Sequence, residues 1–447
     1  MAGVSAARKV AFDILLEVNC GRVHSDAMLR GRAVERLSAA DRNLATALVL
    51  GTLRWQIRLD HELRALLAKP DAKLDHDVST ALRLGAFQLR MMDRIPARAA
   101  IDESVELTKL AGHRHASRMV NAVLRKLAIG EIESWKFDTP SELAIAQAHP
   151  AWMVERWVQF YGLEAAKGIC AHGQRQPSFA VRLTNSGAEA ELTAGGFELK
   201  PGQLLSDARI VLRGDGPESK AFQDGSVRPQ DEGSQLVAEL VARGEAILDC
   251  CAAPGGKTLI LAERNPAGHL VVCEASKPRM EQLRKRLHRL SGRVELRLVD
   301  ATQLTDVDAY DVVLADVPCS GTGTLGRNPE IRLRISEDDL HRHANRQKSI
   351  LQAALRAVKP GGRVIYSTCS MEREENEEVI RAILASQTNV KEASLVERIV
   401  ELRDEGILTA KGAVGLIESV TPEGFLRLLP GALGTDGFFV AQLEKAS

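Results

Sequence analysis

The chain has 447 residues, with 59 Lys and Arg against 59 Asp and Glu, 45% hydrophobic residues and 26% charged ones. That length suggests about three domains at ~150 residues each, and the composition excludes a wholly disordered chain, a collagen-like repeat and a uniformly polybasic binder of nucleic acid. The neutral total hides an asymmetry, because residues 1–140 carry 22 Lys and Arg against 17 Asp and Glu, which makes the N-terminal part the better suited to a polyanion.

Residues 5–135 have a helical rhythm. Over Ala6–Val18 the apolar positions Val10, Ile14, Leu15 and Val18 recur with charges between them. Arg42–Leu67 and Val78–Met92 continue the pattern, and Pro70 and Pro96 punctuate it. Asp102–Leu110 and Arg118–Leu127 are expected as two more helices, separated near Gly112. An all-α bundle over residues 1–140 follows. Residues 141–233 change character. A helix over Ala151–Tyr161 carries Trp152 and Trp157, and short strands are expected over Ser178–Thr184, Phe197–Leu199 and Ile210–Leu212, which makes a small α+β subdomain.

Residues 234–447 alternate strand and helix. Strands are expected over Ala246–Cys250, His269–Cys273, Val294–Val299, Asp311–Ala315 and Arg363–Ser367. The helices between them are Lys257–Arg264, Lys277–Leu290, Ser336–Val358 and Met371–Ala385. Ser336 with Asp339 reads as a helix start, and Lys359-Pro360-Gly361-Gly362 as a stop. Repeated β-α units imply a parallel sheet covered on both faces, with residues 437–443 as a closing strand.

The seven cysteines are Cys20, Cys170, Cys250, Cys251, Cys273, Cys319 and Cys369. Their odd number, the lack of any CxxC, and the interruption of a signal-peptide core by Arg8, Lys9 and Asp13 point to free thiols in a reducing cytoplasm. No apolar run approaches the ~18 residues of a membrane span.

Three features of the last segment carry chemistry. The first is the turn between its first strand and helix, Cys251-Ala252-Ala253-Pro254-Gly255-Gly256-Lys257. Small residues there let a ligand approach the backbone, and the helix start supplies free N–H groups. The turn is neither a GxGxxG fingerprint nor a P-loop, which disfavours a phosphate cradle and a dinucleotide oxidoreductase. The second is a series of acids at successive strand ends, Glu274, Asp300 and Asp316. One such acid is more often a helix cap. Together they fit the ribose, adenine and ammonium groups of S-adenosyl-L-methionine. The third is a pair of cysteines in polar turns, Cys319 in Asp316-Val317-Pro318-Cys319-Ser320-Gly321-Thr322-Gly323 and Cys369 in Ser367-Thr368-Cys369-Ser370. If their strands are neighbours, both thiols face one crevice. Cys273, Cys20 and Cys170 read instead as inert core. Metal ligation by the two thiols with His341 and His343 lacks any supporting spacing, and the pair His113 and His115 reads as a solvated helix end, so no metal is expected. Thiolate addition to C6 of a pyrimidine turns the poorly nucleophilic C5 into an enamine carbon that accepts a methyl group from a sulfonium. A carboxyl near the ring balances the developing charge.

Gln230-Asp231-Glu232-Gly233-Ser234-Gln235, the segments Cys251–Lys257 and Asp316–Gly323, Arg327-Asn328-Pro329-Glu330-Ile331-Arg332 and Tyr366–Ser370 resemble, in order, the motifs of the RNA cytosine-5 methyltransferases of the Nol1/Nop2/Sun type. Arg42-Asn43-Leu44, Gly51–Arg54, Leu84–Leu89 and Val120–Arg125 resemble the NusB-like helical domain. The pairing resembles the bacterial 16S rRNA cytosine-5 methyltransferases. The resemblance implies a multidomain protein: a NusB-like RNA-binding bundle over 1–140, a small α+β subdomain over 141–233, and a Rossmann-like class I methyltransferase domain over 234–447. It implies Cys369 as the nucleophile, Cys319 as the thiol that assists release, and Asp316 as a residue that touches the target ring. The cofactor would be held by Cys251, Ala252, Ala253, Pro254, Gly255, Gly256 and Lys257 with Glu274, Asp300 and Asp316. The sequence alone leaves the roles of the two cysteines exchangeable. The expected partner is 16S rRNA, free or in a partly assembled small subunit, for a monomer with no metal and no membrane. The same chemistry on tRNA or another RNA, and a non-catalytic assembly factor, are the alternatives. Arg279, Arg284, Lys285, Arg286 and Arg289 make a basic helix face. Arg327, Arg332 and Arg334 follow the Cys319 loop and are expected to meet phosphates. Leu333 stands near a position often aromatic in the family, which implies a weakened substrate contact.

Overall fold

In the computed structural model, which describes residues 3–131, 134–214, 219–290 and 292–447, Ile14, Leu15 and Val18 of the expected apolar stripe of the first helix are buried and Val10 is partly buried. Ala11, Ile14, Leu15 and Val18 line the inner side of Ala6–Asn19. They pack with Leu48, Val49 and Leu53 of Ala39–Leu66 and with Val78 and Leu82 of His76–Met91. Gly51 is needed where two of these helices pack: a Cβ there would lie 2.0 Å from the Phe87 ring. Ala97–Leu110 and Ser117–Ile129 complete the expected set. Residues 132 and 133 of the expected helical stretch lie outside the described residues. No described helix is long and apolar enough to cross a membrane.

Three further helices, Pro140–Ala146, Ala151–Tyr161 and Leu163–Gln174, group with this bundle. So does a distant segment. The chain divides into two compact units, one of Met1–Gln176 with Leu325–Arg334, the other of Pro177–Thr324 with Ile335–Ser447. The expected boundaries at 140/141 and 233/234 do not coincide with this division.

Two buried polar side chains, Glu330 and Arg332, tie the distant segment to the helices. Glu330 accepts from the N–H (3.0 Å) and hydroxyl (2.9 Å) of Ser25, at the start of the short helix Ser25–Leu29. Arg332 is 2% exposed. Its Nη1 donates to the carbonyls of Arg54 (3.2 Å) and Ala148 (3.1 Å), and its Nη2 to those of Gly173 (2.9 Å) and Leu325 (3.2 Å). Burial, with the Arg54 guanidinium alongside, pulls the Arg332 pKa below the usual arginine range. Arg334 holds the carbonyls of Val18 and Val23. The expectation of phosphate contact is therefore corrected for Arg332, which is buried with Nη1 and Nη2 on backbone carbonyls, whereas Arg334 is only partly buried and uses its Nη2. Leu333 is partly buried and packs against the bundle core. Cys20 is also corrected: it is exposed at a helix end.

The second unit has two sheets among the described residues. β1 (Phe179–Leu183), β2 (Glu198–Pro201), β3 (Ala208–Arg213) and β4 (Val227–Pro229) form an antiparallel sheet in the order β2-β3-β1-β4. The larger sheet contains β5 (Ala246–Asp249), β6 (His269–Glu274), β7 (Val294–Leu298), β8 (Tyr310–Asp316), β9 (Val358–Thr368), β10 (Val390–Ala393), β11 (Leu426–Leu428) and β12 (Phe438–Lys445). Its order is β10-β12-β9-β8-β5-β6-β7, with β11 also on β12. From β9 to β7 neighbours are parallel, as expected. The closing strand is not: β12 runs antiparallel to β9, β10 and β11, so the sheet is mixed. The loop 429–437 is too short for the crossover that parallel pairing of β11 with β12 requires.

Period-two alternation gives this sheet two apolar faces. Ile247, Val312, Leu314 and Ile365 enter one cluster, with Leu236, Leu261 and Leu283 from helices. Leu248, Val313, Ala315 and Tyr366 enter the other, with Ile350 and Leu351 of the helix Glu337–Ala357. That helix starts as expected, the Asp339 carboxylate accepting from the N–H and hydroxyl of Ser336. β5 pairs with both β6 and β8, so the strand order reverses beside it and opens a crevice at the carboxyl ends of the strands.

Candidate active site

The crevice is floored by the turn from β5 into the helix Gly256–Arg264. Gly255 makes the corner in the left-handed region, φ 95°, where a side chain would also collide with Leu283. Two arginines of the basic helix hold this turn from outside: Arg279 donates to the Ala253 carbonyl (2.6 Å) and Arg286 to that of Pro254 (3.3 Å). Arg289 donates to the Asp224 carbonyl. Three of the five basic residues on that face thus have internal partners, and Arg284 and Lys285 are exposed. The helix itself ends at Arg286 and is followed by a 3-10 turn, His288–Leu290.

A small cavity at the crevice is lined by Cys251, Ala252, Ala253, Pro254, Gly256 and Lys257 of the turn, with Gln230, Ser234, Asp249, Arg286 and Asp316. Gly255, Glu274 and Asp300 are not on its wall. Gln230 Oε1 is buried there without a hydrogen-bond partner, an acceptor available to a ligand donor. Asp249 is buried beneath the turn and accepts from the Thr258 hydroxyl at 2.7 Å. Burial, reinforced by the nearby Asp316 charge, pushes its pKa up to about 7.

The expected acids sit at successive strand ends. Glu274 ends β6 and accepts from Ser276 N–H (2.7 Å). Asp300 follows β7, accepts from Thr302 N–H (3.0 Å) and pairs with Arg346 (2.7 Å). Each therefore also serves as a local cap. Asp316 ends β8 and is held from both sides: Ser367 donates its hydroxyl to Oδ1 (2.7 Å), and Lys257 Nζ lies 2.8 Å from Oδ2. Burial works against the Lys257 charge, but the Asp316 partner outweighs it, with Cys369 and Asp249 adding, so the ammonium is held above its ordinary range. Nζ also lies 5.9 Å from the centre of the Phe438 ring.

The two cysteine turns come together. β8 and β9 are parallel neighbours, and Cys319 Sγ lies 3.3 Å from Cys369 Sγ. Gly323 permits the approach: its N–H donates to the Cys369 carbonyl (2.9 Å), and a Cβ there would lie 2.5 Å from the Gly437 carbonyl oxygen. The hydrogen bond to Cys369 and burial push the Cys319 pKa well up, which keeps the Cys319 thiol protonated. Burial also raises Cys250 and Cys251 well above the ordinary thiol value, and Cys170 and Cys273 to about 12. These four are poor candidates for a thiolate nucleophile at neutral pH.

Sequence reasoning missed Asp249, Gln347, Ser367 and Glu375. Glu375 is fully buried behind the thiols. In the helical unit, Asp75, His113 and His115 bring ligand atoms within 4.8 Å of one another. His113 lies 3.3 Å from Asp75 and 3.1 Å from Asp77, and Asp75 and His115 are exposed, as expected of a solvated helix end.

Residues 239–444 match the family described as 16S rRNA methyltransferase RsmB/F, and residues 5–128 match the NusB family. The chain is 33% identical over 457 residues to "Probable ribosomal RNA small subunit methyltransferase B" of Bacillus subtilis, covering 99% of both proteins. It is 32% identical to the ribosomal RNA small subunit methyltransferase B of Pseudomonas putida, covering 92% of both. Its fold matches the crystal structure of PH0851 with a TM-score of 0.78 at 24% identity, over 99% of this chain and 100% of that one. A methyltransferase homolog protein from Pyrococcus horikoshii matches at TM-score 0.55 and 25% identity, over 69% of this chain and 99% of that one.

Proposed function

Because the chain belongs to the RsmB/F family of 16S rRNA methyltransferases, which use S-adenosyl-L-methionine, we propose that it methylates C5 of a cytosine in 16S rRNA through a covalent adduct between Cys369 and C6. The observation that carries this reading is the juxtaposition of the two thiols, 3.3 Å apart, with the Lys257–Asp316 pair at the ends of the neighbouring strands.

In this reading Glu274 and Asp300 accept hydrogen bonds from the ribose and adenine of the cofactor, and residues Cys251 to Lys257 form the floor beneath it. The carboxylate acceptors and the unpartnered Gln230 Oε1 suit a ligand rich in hydroxyl and amino donors. When bound, the cofactor supplies an electrophilic methyl group. The Cys369 thiolate adds to C6, and the C5–C6 π pair becomes available at C5. Asp316 faces the pyrimidine, and the Lys257 charge offsets the negative charge that builds on the ring. After C5 is methylated, its proton passes to solvent, the C5–C6 double bond reforms, and the Cys369–C6 bond breaks. Cys319, held protonated beside the leaving sulfur, donates a hydrogen bond to it. Addition at C6 requires a cytosine that is single-stranded or flipped from its stack.

The test supplies labelled S-adenosylmethionine with transcripts of 16S rRNA, 23S rRNA and tRNA, and with partly assembled small subunits. Nucleosides are then analysed for 5-methylcytidine. Label as 5-methylcytidine in 16S rRNA, free or in particles, is the expected result. Label at another atom overturns the chemistry, and label only in another RNA overturns the substrate.

A further inference from the structure

We propose that Glu375 is a positioning residue that locks the two cysteine turns against each other and so sets the geometry of the thiol pair. The proposal rests on the two-thiol reading given above.

Glu375 has no exposed surface, and its carboxylate lies behind the thiols. Oε1 accepts from the Ser320 N–H at 2.8 Å and from the Gln347 side-chain amide at 3.0 Å. Oε2 faces the hydroxyls of both Ser320 and Ser370, which lie 3.0 Å from each other. Ser320 follows Cys319 and Ser370 follows Cys369, so one carboxylate grips the residue next to each thiol. Gln347 extends the grip by donating also to the Pro318 carbonyl (2.9 Å), on the other side of Cys319. An amide N–H can only donate, and four donors converging on two oxygens is the pattern that an ionised carboxylate satisfies.

The clamp also acts through charge. A carboxylate behind Cys319 opposes formation of a second thiolate there, and its repulsion contributes to the raised Cys319 pKa. The mechanism needs this asymmetry, since one sulfur attacks while the other stays protonated. The turns have other ties: Gly323 N–H donates to the Cys369 carbonyl, Met371 N–H to the Thr322 hydroxyl (2.9 Å), and the Asn376 amide to the Ser370 carbonyl (2.9 Å). Loss of the carboxylate therefore loosens the pair without dismantling the sheet.

The experiment uses the full chain with Glu375→Gln, and with Ser370→Ala, which removes one arm of the clamp. Melting temperature and cofactor affinity establish that the unit is intact. Two readouts follow. Iodoacetamide alkylation of Cys319 across pH, resolved by peptide mass spectrometry, is expected to move to lower pH in Glu375→Gln. The kcat for methyl transfer is expected to fall about 10- to 100-fold with KM for RNA changed less than about twofold, the scale of a misplaced reacting group. Ser370→Ala should show the same kcat loss in weaker form, with cofactor affinity unchanged. Wild-type alkylation and kcat in both variants would overturn the proposal. So would equal losses of stability, cofactor binding and turnover in both, which would make the clamp merely structural. Alkylation does not require turnover. A shifted Cys319 profile in an enzyme that makes no 5-methylcytidine would leave the clamp standing and remove the functional reading alone.

Discussion

Replacing Arg332 by Met keeps much of the aliphatic volume and removes every donor from a site where four backbone carbonyls converge. An acceptor left unsatisfied costs about 1–3 kcal/mol, but Arg54 lies in a helix and its carbonyl also receives the Gln174 amide, so not all four are orphaned. The variant also escapes the several kcal/mol that burying a guanidinium costs. The balance is a loss of about 3–5 kcal/mol from the helical unit, a large share of the ~5–15 kcal/mol that holds a typical domain. Arg332→Lys keeps the charge but cannot fork across four carbonyls, and should lose about half as much. The assay is selective by composition, because all four tryptophans, Trp55, Trp135, Trp152 and Trp157, belong to this unit. Their fluorescence in urea should show a midpoint lower by about 1–2.5 M for Met, taking a slope of ~2–3 kcal/mol/M. Cofactor affinity should be unchanged. A midpoint within about 0.3 M of wild type, with the salt slope of RNA binding reduced by about 1, would refute the reasoning and restore Arg332 as a phosphate contact.

Cys369→Ala should abolish methyl transfer, whereas Cys319→Ala should accumulate a covalent RNA–protein complex visible on denaturing gels; the opposite pattern would exchange the two roles. Glu274→Ala and Asp300→Ala should each weaken cofactor binding about tenfold by calorimetry, the loss of one good hydrogen bond, and unchanged affinity would return them to the role of caps. Asp249 gives a pH prediction. Its folded pKa, raised by burial to about 7, exceeds the unfolded value, so its contribution to stability is full below pH ~4 and disappears as pH rises through 7, a change of about 4 kcal/mol. Asp249→Asn should flatten that part of the stability profile in denaturant titrations between pH 5 and 8. Parallel profiles would place the titration elsewhere.

What was legible in the sequence is what local chemistry dictates. The β-α alternation, the turn at Gly255 and the polar turns around Cys319 and Cys369 all rest on residues a few positions apart, and neighbouring parallel strands bring the thiols together. Glu375 was not legible. Within the expected helix Met371–Ala385 an acid reads as solvated, but the chain makes a 3-10 turn over Arg373–Glu375 before the helix Glu377–Ser386, and this points the carboxylate inward. Arg332 failed for a similar reason: in a charged stretch it reads as surface, and its carbonyl partners lie 7, 159, 184 and 278 positions away. β4 and β11, three residues each, are too short to show alternation. The helix Leu163–Gln174 was hidden by its small residues, since Ala166, Cys170 and Gly173 make only a faint apolar stripe.

The insertion of Leu325–Arg334 into the helical unit has a consequence for synthesis. Residues 1–176 leave the ribosome ahead of the second unit, but the bundle receives its last segment only when translation has passed residue 334. At ~5–20 residues per second the wait after residue 176 is roughly 8–30 s. Throughout that interval the carbonyls of Arg54, Ala148 and Gly173 lack their guanidinium, so the nascent bundle is exposed to chaperones and proteases in an unfinished form. A fragment ending at residue 176 would remain in that condition permanently.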